Sequence, residues 1–398
     1  MRTFLLPLLL ACLSVAQTPR KISNDEVMRV HRSALLIDSH NDVTSFTVKG
    51  MDIGKDQNKR HTDLAKLRSG GVGAVFFAVY VGAAYVEGNR SAHRTLEMID
   101  TVKHDIAGKY PGQFMLAYSA DGIEKAKREG KIAALMGIEG GHAIEDSLRL
   151  LRTYYDLGAR YMTLTHTNTN SWADSSGDKG GHGGLTDFGK EVIGEMNRLG
   201  MIVDISHVSD KTFYDVLQVS KAPVFASHSS CKAISPIGRN MTDDMIKQLA
   251  KKGGVVQINF GCEFLSAKSA NSSTWINPQR RDAVAAEVAK LGKLTPEQRE
   301  EATEKTAAKL GFETEKATLA DVVAHIEHVI EIAGVDHAGI GSDFDGVGCV
   351  PAGLEDVSKF PNLTRALLEQ GHSAENIRKI YGGNLLRLFR AVEAARGH

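Results

Sequence analysis

Leu36-Ile37-Asp38-Ser39-His40-Asn41-Asp42 is the stretch from which the rest of the chain is read. An apolar run of strand length ends there in a His-x-Asp pair. Side chains at i and i+2 on a strand share a face. His40 and Asp42 are therefore expected to project together, an imidazole beside a carboxylate, half of a coordination shell for a divalent cation. A pair of this kind also suits a capped turn, so its meaning depends on how the other strands end.

Seven further apolar runs of strand length follow that opening run (34–38), at 72–80, 132–138, 160–165, 201–205, 223–226, 254–259 and 338–341. Most come after a glycine-bearing turn, such as Ser69-Gly70-Gly71, Leu157-Gly158, Leu199-Gly200 or Lys252-Gly253-Gly254. Amphipathic segments of helical length lie between them, among them 93–107, 147–157, 187–199, 210–219, 243–251 and 319–333, and a first helix is expected over 23–33 with Ser23 or Asn24 as its cap. Continuous apolar runs alternating with helices indicate a parallel sheet covered on both faces. Eight such units favour a (β/α)8 TIM barrel over an open doubly wound sheet. One segment, 263–318, breaks the rhythm. It is rich in Glu, Lys and Ala, holds Trp275, and reads as a helical insertion after the seventh strand, either solvated or walling the mouth of the barrel. Without internal repeats or a low-complexity linker, residues 17–398 are expected to form a single domain.

Composition narrows the partners. The 398 residues carry 48 Lys+Arg against 48 Asp+Glu, so no net field argues for nucleic acid or an anionic membrane. Residues 1–16 read as a signal peptide: Arg2, an apolar stretch from Phe4 to Leu13 too short to span a bilayer, then Ser14-Val15-Ala16 as a small-x-small cleavage site. Lipidation at Cys12 is the alternative. Either way the chain is expected to be exported, periplasmic or secreted. Cys231, Cys262 and Cys349 remain, which allows at most one disulfide, with no pairing indicated; no CxxC pair offers a thiolate metal site. The tail from Arg387 is polar and charged, with no transmembrane or lipid-anchor stretch expected.

In a barrel of this class chemistry collects at the C-terminal ends of the strands. Six of the eight runs end in polar ligand types: His40 and Asp42; Glu139 and His142; His166; Asp204 and His207; His228; Asp343 and Asp345. Imidazoles and carboxylates without thiolate suit zinc, with manganese, cobalt or iron possible. At least five ligands are enough for two ions bridged by a carboxylate, ~3.5–4 Å apart and able to share an activated hydroxide. Glu139, followed by Gly140 and Gly141, suits the bridge. Asp204 is expected to face away from His207 and be structural or at most support a ligand, His142 to pack the loop or support a ligand, Asp345, on the face of Asp343, to orient its loop or share in the chemistry, and Trp172-Ala173-Asp174 to order the loop after His166. His61, His93, His104, His325 and His328 are expected to be solvated.

These pieces together resemble the membrane dipeptidase (renal dipeptidase) family of zinc peptidases, within the amidohydrolase-like metal-dependent hydrolases. The match runs in order through DSHND (38–42), GIEGGHAI (137–144), RYMTLTHTNTNSWADS (160–175), DISHVS (204–209), ASHSS (226–230), GRNMTDD (238–244), GIGSDFDG (339–346) and YGGN (381–384). The resemblance implies two zinc ions, His40 and Asp42 on the first, His207 and His228 on the second, and Glu139 bridging. It further implies that His166 contacts substrate and stabilises the oxyanion, Arg239 holds the substrate carboxylate, and Asp343 shuttles a proton. A homodimer, cleavage of dipeptides and tolerance of a C-terminal D-residue come with it. A same-fold hydrolase of β-lactams, lactones or N-acyl amino acids is the alternative, and a metal-binding protein without catalysis a third reading. Without an anchor signal, the family's membrane attachment is not expected here, and the leader implies an exported bacterial member.

Overall fold

The computed structural model describes residues 22–397, so the expected leader, with Cys12, lies outside the described residues. Nine parallel strands form one sheet: β1 (Leu36–Asn41), β2 (Val72–Tyr80), β3 (Phe114–Leu116), β4 (Ile132–Glu139), β5 (Ala159–Thr163), β6 (Ile202–Asp204), β7 (Phe225–Ser229), β8 (Val255–Ile258) and β9 (Ala338–Ile340). Eight of them run in order around a nearly closed barrel, and these are the eight expected. The ninth, β3, was not expected. It pairs only with Ile132 to Ala134 of β4 and stands off the ring, because β5 takes the same edge of β4 from Met136 onward.

Side-chain parity sorts the strands into two layers. Ala74 and Phe76 of β2 and Ala133 and Leu135 of β4 face inward, while Val75, Phe77, Met136 and Ile138 pack beneath the outer helices. The inner layer continues through Ile37, Tyr161, Phe225 and Val255 to the C-terminal helix Asn384–Ala394, whose Leu388 and Phe389 fill the floor of the barrel. Each fully buried side chain of this size contributes about 1.5–3 kcal/mol. The strand-following helices start on hydroxyl caps: Ser119, Thr186, Ser209 and Thr242 each accept a backbone N–H from the first turn. Helices Asp187–Leu199, Asp210–Val219, Asp243–Lys251 and Leu319–Ala333 have the expected bounds.

The seam between the first and last strands is closed largely by side chains. The carboxylate of Asp38, fully buried, accepts from Ser342 N (2.8 Å) and Ser342 Oγ (2.6 Å). Just above, Asp343 N donates to His40 O (3.0 Å) and Asp42 N to Phe344 O (2.9 Å). The two strand ends that carry candidate ligands are thereby stitched to each other.

The insertion consists of helices Cys262–Leu265, Ala267–Ser272, Pro278–Ala289 and Pro296–Lys309. Cys262 is disulfide-bonded to Cys349, joining the start of the insertion to the loop after β9, while Cys231 is a buried free thiol. Three solvated-histidine expectations fail: His328 is half-buried, its Nε2 2.8 Å from Asp243 Oδ1. His325 is fully buried, because it lies on the same helical stripe as Val322, Ile326 and Val329. Its Nδ1 accepts from Cys231 N (2.9 Å), so Nε2–H donates to Leu265 O (3.1 Å), and burial draws its pKa down to about 4. His61 is half-buried, its Nδ1 accepting from Asp345 N while its own N–H donates to Asp345 Oδ1, both 2.9 Å. Asp345 thus orients the loop, one of the two roles open to it. Among the described residues no helix is long and apolar enough to cross a membrane.

Candidate metal centre

Parity places Glu139 last on the inward row 133, 135, 137, 139 of β4. Gly137, one step below it, has no room for a Cβ: one built there lies 1.9 Å from the ring of Tyr161. The missing side chain lets Tyr161 cross the barrel beneath Glu139. Its hydroxyl donates to Ser39 O (3.1 Å) and so accepts from His40 Nδ1–H (2.7 Å). That arrangement keeps Nδ1 of His40 as a donor to the tyrosine and turns Nε2 into the site.

A parallel arrangement orients His228. The Ser227 hydroxyl donates to Asp204 Oδ2 (2.5 Å) and accepts from His228 Nδ1 (2.7 Å), so Nε2 of His228 also faces inward unprotonated. Asp204 accepts further from Ser206 N, Ser227 N and Thr163 Oγ1, the structural role expected of it. His207 reaches the cluster with φ +69°, a left-handed conformation that costs an L-residue ~1–2 kcal/mol. Asp343, at φ +59°, does the same. Such strain at a site signals that its neighbours over-determine the geometry.

The candidate residues converge. Glu139 Oε2 lies 3.4 Å from His40 Nε2, which is 3.2 Å from Asp42 Oδ2. On its other side Glu139 Oε1 lies 3.0 Å from His207 Nε2, 3.3 Å from His228 Nε2 and 3.8 Å from His166 Nε2. Three overlapping clusters, His40–Glu139–His228, Glu139–His166–His207 and His40–Asp42–Asp343, each bring their ligand atoms within 4.8 Å of one another. Asp343 Oδ2 accepts from Asn259 Nδ2 (2.7 Å), and Asn259 Oδ1 accepts from Gly261 N (2.6 Å), which fixes the orientation of the side-chain amide. Arg239 is held by Ser229 Oγ and His228 O, both 3.0 Å, and its guanidinium carbon sits 5.3 Å from the centre of the Phe264 ring in the insertion. Part of that insertion therefore walls the mouth. His142 bonds Val81 O (2.9 Å), and Asp174 gathers His182 N and Gly184 N (2.8 Å each); both keep to loop order.

The residues fit divalent ions. The Nε2 atoms of His207 and His228 lie 2.9 Å apart beside a carboxylate oxygen, while buried His40 Nε2 and Asp42 Oδ2 have no hydrogen-bond partner. Three buried carboxylates, Asp42, Glu139 and Asp343, share this space. Burial, aided by Arg239 for His207 and by His40 for His228, holds both imidazoles well below their ordinary pKa, in the neutral form that binds metal. Burial would raise Glu139, but the imidazoles, His40 foremost, outweigh it and hold the carboxyl well down. His40, Asp42, Glu139, His166, His207, His228, Arg239 and Asp343 all lie in or at this cluster. The supporting Tyr161, Ser227 and Asn259 were not singled out from sequence. Their only signals were a tyrosine within one apolar run, an asparagine at the end of another and a serine next to a histidine.

Comparison with known proteins places this geometry. The family model described as membrane dipeptidase (peptidase family M19) matches residues 24–398. Among solved structures the chain is similar to the probable dipeptidase PvdM from Pseudomonas aeruginosa, at 27% identity over 94% of this chain and 98% of that one, TM-score 0.80. An amidohydrolase from Pseudomonas aeruginosa matches at 25% identity over 92% and 98%, TM-score 0.70. A metallo peptidase from Rhodobacter sphaeroides, liganded with a phosphinate mimic of the dipeptide L-Ala-D-Ala, shares the fold at 24% identity over 90% and 99%, TM-score 0.73.

Proposed function

Because the chain belongs to the membrane dipeptidase family, peptidase family M19, and is a metal-dependent dipeptidase, we propose that it is a binuclear zinc enzyme that cleaves dipeptides and accepts a D-residue at the C-terminal position. One observation carries the two-ion reading: the two oxygens of Glu139 face two different ligand sets, His40 with Asp42 on one side and His207 with His228 on the other. Two ions held by these residues would supply Lewis acidity and activate a water for attack at neutral pH.

The chain's own residues do the rest. His166 stands half-buried at the mouth, with Thr167 Oγ1 3.3 Å from Nδ1. With that hydroxyl donating to Nδ1, Nε2 carries the proton and offers it as a hydrogen bond to the oxygen that gains charge as the carbonyl is attacked. Asn259 holds Asp343 Oδ2 and leaves Oδ1 to take the proton of the attacking water and pass it to the leaving amine. Arg239 keeps its charge, although burial draws its pKa down to about 10. One hydrogen on each terminal nitrogen is committed to Ser229 and His228, and the buried Nε has no partner. Nε–H and the remaining terminal hydrogens are the donors for the carboxylate of a short substrate. Export and a homodimer belong to the same proposal: the Cys262–Cys349 disulfide suits an oxidising compartment, and Trp275 and Leu291 leave apolar surface on the insertion.

The test is a panel of L-Xaa-L-Xaa and L-Xaa-D-Xaa dipeptides offered to zinc-reconstituted protein, with metal content measured in parallel. About two ions per chain and hydrolysis of dipeptides of both stereochemistries are expected. Two bound ions with no dipeptide hydrolysed would overturn the substrate assignment.

A further inference from the structure

The loop after His166 is bonded to the backbone of two cluster histidines, and that bonding has a use. His207 O accepts from Ser176 N (2.8 Å), Ser176 Oγ (3.0 Å) and Ser175 Oγ (3.2 Å). The Ser175 hydroxyl also donates to His166 O, its shorter contact, and Ser175 is buried. Ser175 pairs with Val208 in an isolated antiparallel bridge, and Ser209 N donates to Asp174 O (2.9 Å). The chain at 174–176 therefore lies along 207–209 as a short added strand. It meets His207 at the residue whose φ of +69° turns the imidazole toward Glu139.

We infer that Ser175 and Ser176 are positioning residues: they clip His207 in its left-handed conformation and set His166 beside it, so that seating of the 174–184 loop and metal affinity on the His207 side are coupled. The inference rests on the two-ion reading above. A left-handed His207 needs an outside restraint, because relaxation toward negative φ swings Cβ and the ring away from Glu139. The carbonyl of His207 is where that restraint acts. The loop itself is a closed unit, since the Asp174 carboxylate collects His182 N and Gly184 N, and a Cβ at Gly181 would lie 1.9 Å from Asp174 Oδ1. Coupling is reciprocal: what steadies the loop tightens the ion, and the ion steadies the loop.

The experiment titrates metal-free protein with Co2+, followed by visible absorption and equilibrium dialysis, with amide exchange measured alongside. In the wild type two ions bind, and loading slows exchange at the amides of Ser176, His182 and Gly184. In Ser175→Ala/Ser176→Ala one ion is weakened about tenfold or more, the order seen when outer supports of a ligand are removed. The other stays within twofold, and loading no longer protects the loop. Ser176→Ala alone, which removes a half-buried hydroxyl, shows the same pattern at smaller size, and Ser176→Thr behaves as wild type. Equal weakening of both ions, unchanged affinities, or loop protection indifferent to metal would overturn the inference while the dipeptidase reading stands. A wild type that binds no divalent ion overturns both.

Discussion

Tyr161→Phe removes one oxygen from the centre of the molecule and leaves the packing in place. The ring keeps Phe76 and Phe225 at 5.4 and 5.3 Å between centroids, and Gly137 still makes room for it. What disappears is the acceptor for His40 Nδ1–H and the donor to Ser39 O, both buried. An orphaned buried polar group costs about 1–3 kcal/mol. Part of that cost falls on folding, and part on His40, whose ring is free to rotate or change tautomer. Losing the partner of a metal-ligating histidine lowers metal affinity ~10–100-fold, equivalent to about 1.4–2.8 kcal/mol. At ~2.1 cal/mol/K per residue, 2 kcal/mol shifts the thermal midpoint of a chain this long by only about 2–3 °C. Competition against a chromogenic chelator is therefore the sharper assay. It is expected to show the ion on the His40 and Asp42 side weakened, with the other nearly unchanged. Both affinities within twofold of wild type would refute the idea that Tyr161 orients His40.

Three further outcomes are expected. Asp343→Asn should lower kcat by ~10²–10⁴, the range for a general acid–base group, with metal content much less affected; near-normal turnover would remove Asp343 from proton transfer. Arg239→Ala should raise KM for dipeptides by roughly 10–150-fold, the loss of a charged hydrogen bond worth ~1.5–3 kcal/mol, and an unchanged KM would take it out of substrate binding. Acid should act through His325, whose pKa is about 4 folded against 6.5 in its ordinary state. Below pH 6.5 the unfolded chain takes up this proton first, so the contribution is present above pH 6.5 and lost as pH falls toward 4, up to about 3 kcal/mol. Denaturant midpoints of His325→Gln should fall less steeply over that window; parallel profiles would exclude His325 as a source of the slope.

Elements that announce themselves by charge or periodicity were readable from the chain alone. Eight apolar runs, most of them behind glycine turns, specified the barrel, and acids and imidazoles at their ends specified the cluster. β3 was hidden because Phe114-Met115-Leu116 is only three residues long, too short to stand out as an apolar run even behind the Pro111-Gly112 turn. The supports of the site were hidden for a different reason. A tyrosine or an asparagine acquires its role from a partner distant in the chain: Tyr161 serves His40 across 121 positions, and Asn259 serves Asp343 across 84. His325 was readable in principle, since it repeats with Val322 and Val329 along one helical face, and position on that face outranks the polarity of its ring.

The seam at Asp38 also sets an order of events during synthesis. Asp38 and Ser342 are 304 positions apart. At ~5–20 residues per second the first strand waits about 15–60 s for its second neighbour. Glu139, His207 and His228 emerge with β4, β6 and β7 and are complete well before β9 exists. The earliest candidate ligands to be made, His40 and Asp42, are thus the latest to be held, and the pocket on their side is finished by the ribosome's last hundred residues.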